Sequence, residues 1–227
     1  MLINLVNLLF PKSCLACKQQ LLKNEEVICF YCRDNLPFTM EHTNYENTTM
    51  MKFYGRIPLE FGSCMLYYSK GGIVQKLLHN LKYNNHSEIS NFLGRMYCYQ
   101  LTDLPIFSNI TEIIPVPLHK KKLKKRGYNQ VIGFAEALSQ HFGIPINDKL
   151  LIKRLKTTSQ TKKNRFQRLK NNTEEFALDN KQLNFETNNF LLIDDILTTG
   201  GTLEACSKIL LKIPNSKITI LCLASTI

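Results

Sequence analysis

The sequence predicts an α/β fold: a mostly parallel, twisted sheet flanked by helices, with a small N-terminal four-cysteine zinc module. Three observations carry this expectation. From residue 61 onward, short apolar runs alternate with stretches of helical periodicity, the pattern of a parallel sheet covered on both faces. One of those runs leads directly into two acids and a Thr-Thr-Gly-Gly-Thr turn at 198–202, where an open α/β sheet holds its ligands. Two C-x-x-C pairs stand 11 residues apart near the start. At 227 residues the chain can bury one such core and carry a small appendage, and its 44% hydrophobic content is ordinary for a globular protein.

Taken in order, the first ten residues (MLINLVNLLF) are expected to be a short apolar helix docked on the domain. They have no basic start and no small-residue cleavage site, and Asn4, Asn7 and Pro11 interrupt them, so they suit neither a signal peptide nor a bilayer span. Cys14, Cys17, Cys29 and Cys32 follow. Each pair offers two thiolates on one turn, and two turns close a tetrahedron around Zn²⁺. With all four positions filled by sulfur, such a site is structural, and it would stabilise a segment too short to hold its own core. With no export signal, a cytoplasmic location is expected, and disulfides are the weaker reading. Cys64, Cys98, Cys206 and Cys222 sit among apolar neighbours and read as small core residues.

The polar, Asn- and Thr-rich stretch from Glu41 to about Arg56 reads as a linker. The expected organisation is therefore a zinc module at 1–40, a linker at 41–60 and the α/β domain at 61–227. Within that domain 61–68 reads as a strand. Residues 73–83 read as an amphipathic helix on Ile73, Val74, Leu77, Leu78 and Leu81. A strand at 110–116, a helix in 129–142, a weaker strand near 150–154, a strand at 190–193, a helix at 202–212 and a final strand at 217–224 complete the pattern.

The stretch 190–202 (FLLIDDILTTGGT) carries the most specific chemistry. Its glycines let backbone amides approach a phosphate, and its threonine hydroxyls add donors. Asp194 and Asp195 stand where the strand is expected to leave the core, placed to accept hydrogen bonds from a sugar diol. Diol and phosphate together describe a ribose 5-phosphate grip. Helix capping alone needs one acid, not two followed by this turn.

These thirteen residues resemble the phosphoribosyl pyrophosphate (PRPP) signature of type I phosphoribosyltransferases. With the paired cysteines, LKY at 81–83, PVPL at 115–118, RGYNQ at 126–130 and the basic stretch after 156, the order of motifs resembles the ComF family. Those phosphoribosyltransferase-like proteins are linked to competence and DNA uptake. The resemblance implies the type I phosphoribosyltransferase fold. It implies that Asp194 and Asp195 bind ribose hydroxyls and are the catalytic acids. It also implies that Thr198, Thr199, Gly200, Gly201 and Thr202 bind the 5-phosphate. It assigns Pro117, Leu118 and His119 to a pyrophosphate loop, joined by Arg126, Gly127, Tyr128, Asn129 and Gln130. It assigns Gln160, Lys162, Lys163, Arg168, Asn171 and Phe176 to a mobile loop. Lys163 stands where the family often has an aliphatic residue.

The implied cofactors are structural Zn²⁺ and a Mg²⁺ that bridges pyrophosphate and ribose oxygens. The implied partners are PRPP or a related ribose 5-phosphate ligand, single-stranded DNA, and proteins of DNA uptake or recombination. The charge points the same way: formal net charge is +11, six of the eight residues 119–126 are Lys or Arg, and 153–170 holds eight Lys or Arg and no acid. Tyr128 and Phe166, in or beside those runs, are the candidates for stacking on bases. Three functions remain open on the sequence. They are a PRPP- and DNA-binding component of uptake, a phosphoribosyltransferase with an unidentified acceptor, and a non-catalytic PRPP-sensing regulator. Because the chain ends soon after the last expected strand, any hood over the acceptor is expected from residues 1–60.

Overall fold

The computed structural model describes residues 11–154, 175–179 and 188–226. Its sheet has four parallel strands, β1 (Phe61–Tyr68), β2 (Glu112–Pro115), β5 (Asn189–Leu197) and β6 (Lys217–Thr226), in the order β1-β6-β5-β2. Register is set by Cys64 opposite Cys222, Ile193 opposite Leu221, and Pro115 opposite Ile193. The expected α/β class is therefore present. The helices are α1 (Phe30–Asp34), α2 (Thr48–Phe53), α3 (Ile73–Tyr83), α4 (Glu88–Leu101), α5 (Lys120–Arg126), α6 (Ile132–Phe142) and α7 (Gly201–Leu210). Among the described residues no helix is long and apolar enough to cross a membrane.

Successive strand side chains point to opposite faces, and on β5 this divides the core. Leu191 and Ile193 join a cluster with the apolar stripe of α3 (Val74, Leu77, Leu78, Leu81) and with α4 and α6. Phe190 and Leu192 join a second cluster with Leu203, Cys206 and Leu210 of α7. The α4–α6 packing is close: a Cβ built on Gly94 would stand 2.9 Å from the Ala137 Cβ, so this position has no room for a larger residue.

Three features differ from the sequence expectations. The strand expected near 150–154 is β3 (Leu151–Lys153), and it pairs antiparallel with β4 (Phe176–Leu178) in a separate two-stranded sheet. Leu150, Leu151 of β3 and Phe176 of β4 join the cluster beside α7, and the pair lies outside the parallel sheet. The polar stretch read as a linker is packed rather than free. Glu41 is buried and accepts hydrogen bonds from the hydroxyls of Thr48 and Thr49 and, at 2.8 Å, from the Cys64 amide of β1. The Asn47 amide donates to the Gly62 carbonyl at 2.8 Å, while its Oδ1 caps α2 at Met50. Asparagine and threonine are polar in composition but here serve as internal caps. Finally, β5 does not end before the acids. Pairing with β6 continues past Asp194, opposite Cys222, to Leu197, opposite Ser225.

The cysteine segment belongs to the same body. Cys14, Leu15, Val27, Ile28 and Leu36 are part of the cluster that contains α3 and α4. Buried Asn80 of α3 donates to the Leu15 carbonyl at 2.6 Å.

Candidate functional site

The carboxyl end of β5 delivers the residues of the signature in sequence. Thr198 and Thr199 are exposed, Gly200 is buried, and α7 begins at Gly201, with Gly201 half-buried and Thr202 exposed. Gly200 has φ +77°, a conformation that side chains with a Cβ rarely adopt. A Cβ there would also meet the Phe53 ring at 2.9 Å. The glycine is thus required by the turn and by α2 beneath it. Arg56, from the stretch after α2, fastens the same turn. Its guanidinium donates to the Thr199 carbonyl at 3.0 Å and, through Nε at 3.0 Å, to Glu204 in the first turn of α7.

The two acids lie inside the strand and diverge across its pleat. Asp195 is 3% exposed and its Oδ2 is 2.7 Å from Lys82 Nζ, in the last turn of α3. Asp194 is half-buried and its Oδ1 accepts the Asp195 amide at 2.8 Å. Burial and the Asp195 charge push the Asp194 pKa up to about 7, against the pull of that amide and of Lys82 and Lys153. No ion pair engages Asp194 among the described residues.

The RGYNQ run joins this end of the sheet to a basic helix. Pro117 and Leu118 are half-buried in the turn after β2. His119 caps α5, its Nδ1 accepting from the Lys121 amide at 3.2 Å, and Gly127 closes the helix at φ +81°. No residue of α5 is buried. Asn129 donates to the Val116 carbonyl at 3.0 Å, and Arg126 to Oε1 of buried Gln130. The Tyr128 hydroxyl donates to the Leu81 carbonyl, and the Arg126 guanidinium lies 5.5 Å from the Tyr83 ring centroid. Leu81, Lys82 and Tyr83 thus contact Tyr128, Asp195 and Arg126 in turn.

Of the mobile-loop expectations, Gln160, Lys162, Lys163, Arg168 and Asn171 lie outside the described residues, as does Phe166. Phe176 is a core residue of β4, 2% exposed, with Lys153 Nζ 4.7 Å from its ring centroid. Its aromatic character is accounted for by packing.

At the N-terminal end the Sγ atoms of Cys14, Cys17, Cys29 and Cys32 all lie within 4.8 Å of one another. Amides of Ala16 and Cys17 point at Cys14 Sγ, at 3.4 and 3.5 Å, and the Cys32 amide at Cys29 Sγ, at 3.5 Å. Amide donors of this kind favour thiolates, and four converging sulfurs are compatible with a tetrahedral zinc ion. The other cysteines, Cys64, Cys98, Cys206 and Cys222, are buried as core residues, as their neighbours in sequence suggest.

Comparison with known proteins bears on the same elements. The phosphoribosyl transferase domain family matches residues 131–226. Competence protein F of Haemophilus influenzae is 33% identical over 151 residues, 63% of this chain and 64% of that protein. Competence protein ComFC of Bacillus subtilis is 26% identical over 205 residues, 85% of this chain and 81% of that one. The chain is thus similar to ComF-type competence proteins and, over residues 131–226, to the phosphoribosyl transferase domain family. The DNA utilization protein YhgH of Escherichia coli O157:H7 is a further relative, 25% identical over 154 residues, or 66% of each chain.

Arg56 is a residue of the site region that sequence reasoning did not single out, and Lys82 and Tyr83 entered that reasoning only as letters of the LKY motif, with no role assigned. Arg56 falls in the stretch read as a linker. Lys82 and Tyr83 fall in a motif whose letters carry no chemistry until α3 is set against β5 and α5.

Proposed function

We propose that this chain binds PRPP, or a related ribose 5-phosphate ligand, at 194–202, binds single-stranded DNA on its basic face, and acts in DNA uptake or DNA processing. One observation carries the reading. Within nine residues β5 presents two carboxylates, an exposed Thr-Thr pair and the positive-φ Gly200 that opens the ten-residue helix α7. Amides at a helix start and flanking hydroxyls hold a phosphate. Asp194, which has no ion-pair partner among the described residues, takes a ribose hydroxyl. Asp195 takes the second only by releasing Lys82. A bound Mg²⁺ would neutralise the diphosphate of the ligand. The competence and DNA-utilization names of the relatives support the DNA half of the reading, and so do the six basic residues of 119–126.

Transfer of the ribosyl group is a second reading. The phosphoribosyl transferase match supports it, with pyrophosphate leaving from C1 as the acceptor attacks. Calorimetry on one sample tests binding: PRPP with Mg²⁺ and a single-stranded oligonucleotide should each give a saturable isotherm. Asp195→Asn should weaken the first by roughly 10-fold, the loss of one charge-assisted hydrogen bond, and leave the second unchanged. Equal PRPP binding by parent and variant would overturn the ribose assignment. Pyrophosphate release over a panel of acceptors then separates transferase from binder.

A further inference from the structure

We infer that Tyr83 is a base-stacking platform for single-stranded DNA, at the point where the basic helix meets the ribose-phosphate site. This inference rests on the DNA-binding reading above and names the residue that engages the bases. Tyr83 is 64% exposed at the end of α3, leaving much of its ring open to a ligand among the described residues. The guanidinium of Arg126 lies 5.5 Å from its ring centroid and is held from behind by Gln130. The His79 ring, one turn earlier on α3, is 5.0 Å away at 45°. The ring is therefore oriented by its neighbours before any ligand arrives, which lowers the entropic cost of stacking.

Charge selects the occupant. Arg126 ends a helix in which five lysines, at 120, 121, 122, 124 and 125, accompany it and no residue is buried. A row of cations beside an exposed aromatic ring is the arrangement that grips a single strand, phosphates on the lysines and a base on the ring. Tyr128, the aromatic that the sequence puts in the basic run, is not available for this. It is half-buried against the main core and its hydroxyl is committed to the Leu81 carbonyl. Tyr83 is 37 residues before α5 in the chain and reaches it only through the fold. Its neighbour Lys82 holds Asp195 at 2.7 Å, so a stacked base would sit one residue from the ribose-phosphate acids.

The chain contains no tryptophan, so Tyr83→Trp gives a fluorophore that reports on this position alone. An oligothymidylate of about twelve nucleotides, within the site size of single-strand binders, should quench it. An abasic strand of equal length, which has the phosphates without the bases, should bind without quenching. Tyr83→Ala should weaken oligothymidylate binding roughly 5- to 100-fold at fixed salt and leave abasic-strand binding unchanged, with Tyr83→Phe close to the parent. If oligothymidylate binds without quenching and Tyr83→Ala loses nothing, the platform is refuted. If Lys121→Glu with Lys124→Glu then abolishes that binding, the DNA reading still stands. If neither strand binds the parent protein at low salt, both are refuted. Quenching by free thymine alone, with no response to strands, would make the ring a small-molecule subsite and also refute the inference.

Discussion

Burial raises the pKa of Asp194 to about 7, and the adjacent Asp195 charge adds to the rise. The sign of the consequence is fixed by linkage. In the unfolded chain this acid loses its proton near pH 4, while in the folded chain it keeps it until about pH 7. Its contribution to stability is therefore fully present below pH 4 and is lost as pH rises through 7. Binding runs the other way, because an ionised carboxylate is the better acceptor for a ribose hydroxyl. PRPP affinity should rise between pH 6 and 8, with proton release measurable by calorimetry in buffers of different ionisation enthalpy. Asp194→Asn should abolish that release. It should also flatten the stability profile between pH 4 and 7 and stabilise the folded state above pH 7 by roughly 2–4 kcal/mol. An unchanged pH profile in the variant would assign the titration elsewhere.

At the scale of elements, the turn 198–200 rests on α2 and Arg56, a part of the chain whose composition gives no hint of this role. Gly200→Ala is expected to destabilise the protein by roughly 1–3 kcal/mol, because the new Cβ meets the Phe53 ring at 2.9 Å in a left-handed backbone. Arg56→Gln removes the donor to the Thr199 carbonyl and the pair with Glu204, and should weaken PRPP binding about 10-fold with little loss of Tm. Thermal melts and calorimetry of the two variants distinguish a turn held for the fold from one held for the ligand. Legibility follows the same lines. β1 and α3 have the bounds that hydrophobic pattern gives, since Phe61–Tyr68 and the Val74, Leu77, Leu78, Leu81 stripe each face one partner. No such pattern marks α4, where Gly94, Arg95 and polar residues interrupt the apolar positions and tertiary contact with α6 supplies the rest. The signature at 194–202 is legible because it is contiguous. Lys82, Arg56 and Tyr83 are not, because their partners are brought by the fold from 113, 148 and 43 positions away.

For the whole molecule, the cysteine segment and the α/β core share one hydrophobic cluster. Leu15, Val27 and Ile28 pack with the residues of α3 and α4, Asn80 bonds to the Leu15 carbonyl at 2.6 Å, and Arg95 of α4 pairs with Glu26 at 2.5 Å. A metal held by the four sulfurs would therefore stabilise more than its own loop. α3, which rests on that segment, also carries the Lys82 that holds Asp195, so loosening one end of α3 is expected to reach the ribose-phosphate end. Metal analysis of the folded, reduced protein should find one Zn²⁺ per chain. Structural zinc sites supply on the order of 10–16 kcal/mol in isolated modules. If about 5 kcal/mol of that reaches the shared core, a chelator or Cys14→Ser should lower Tm by roughly 10–20 °C. The loss should appear as one cooperative transition, and PRPP affinity should fall with it. Two separate transitions, with the upper one at the parent Tm, would show that the segment and the sheet unfold independently despite their common packing.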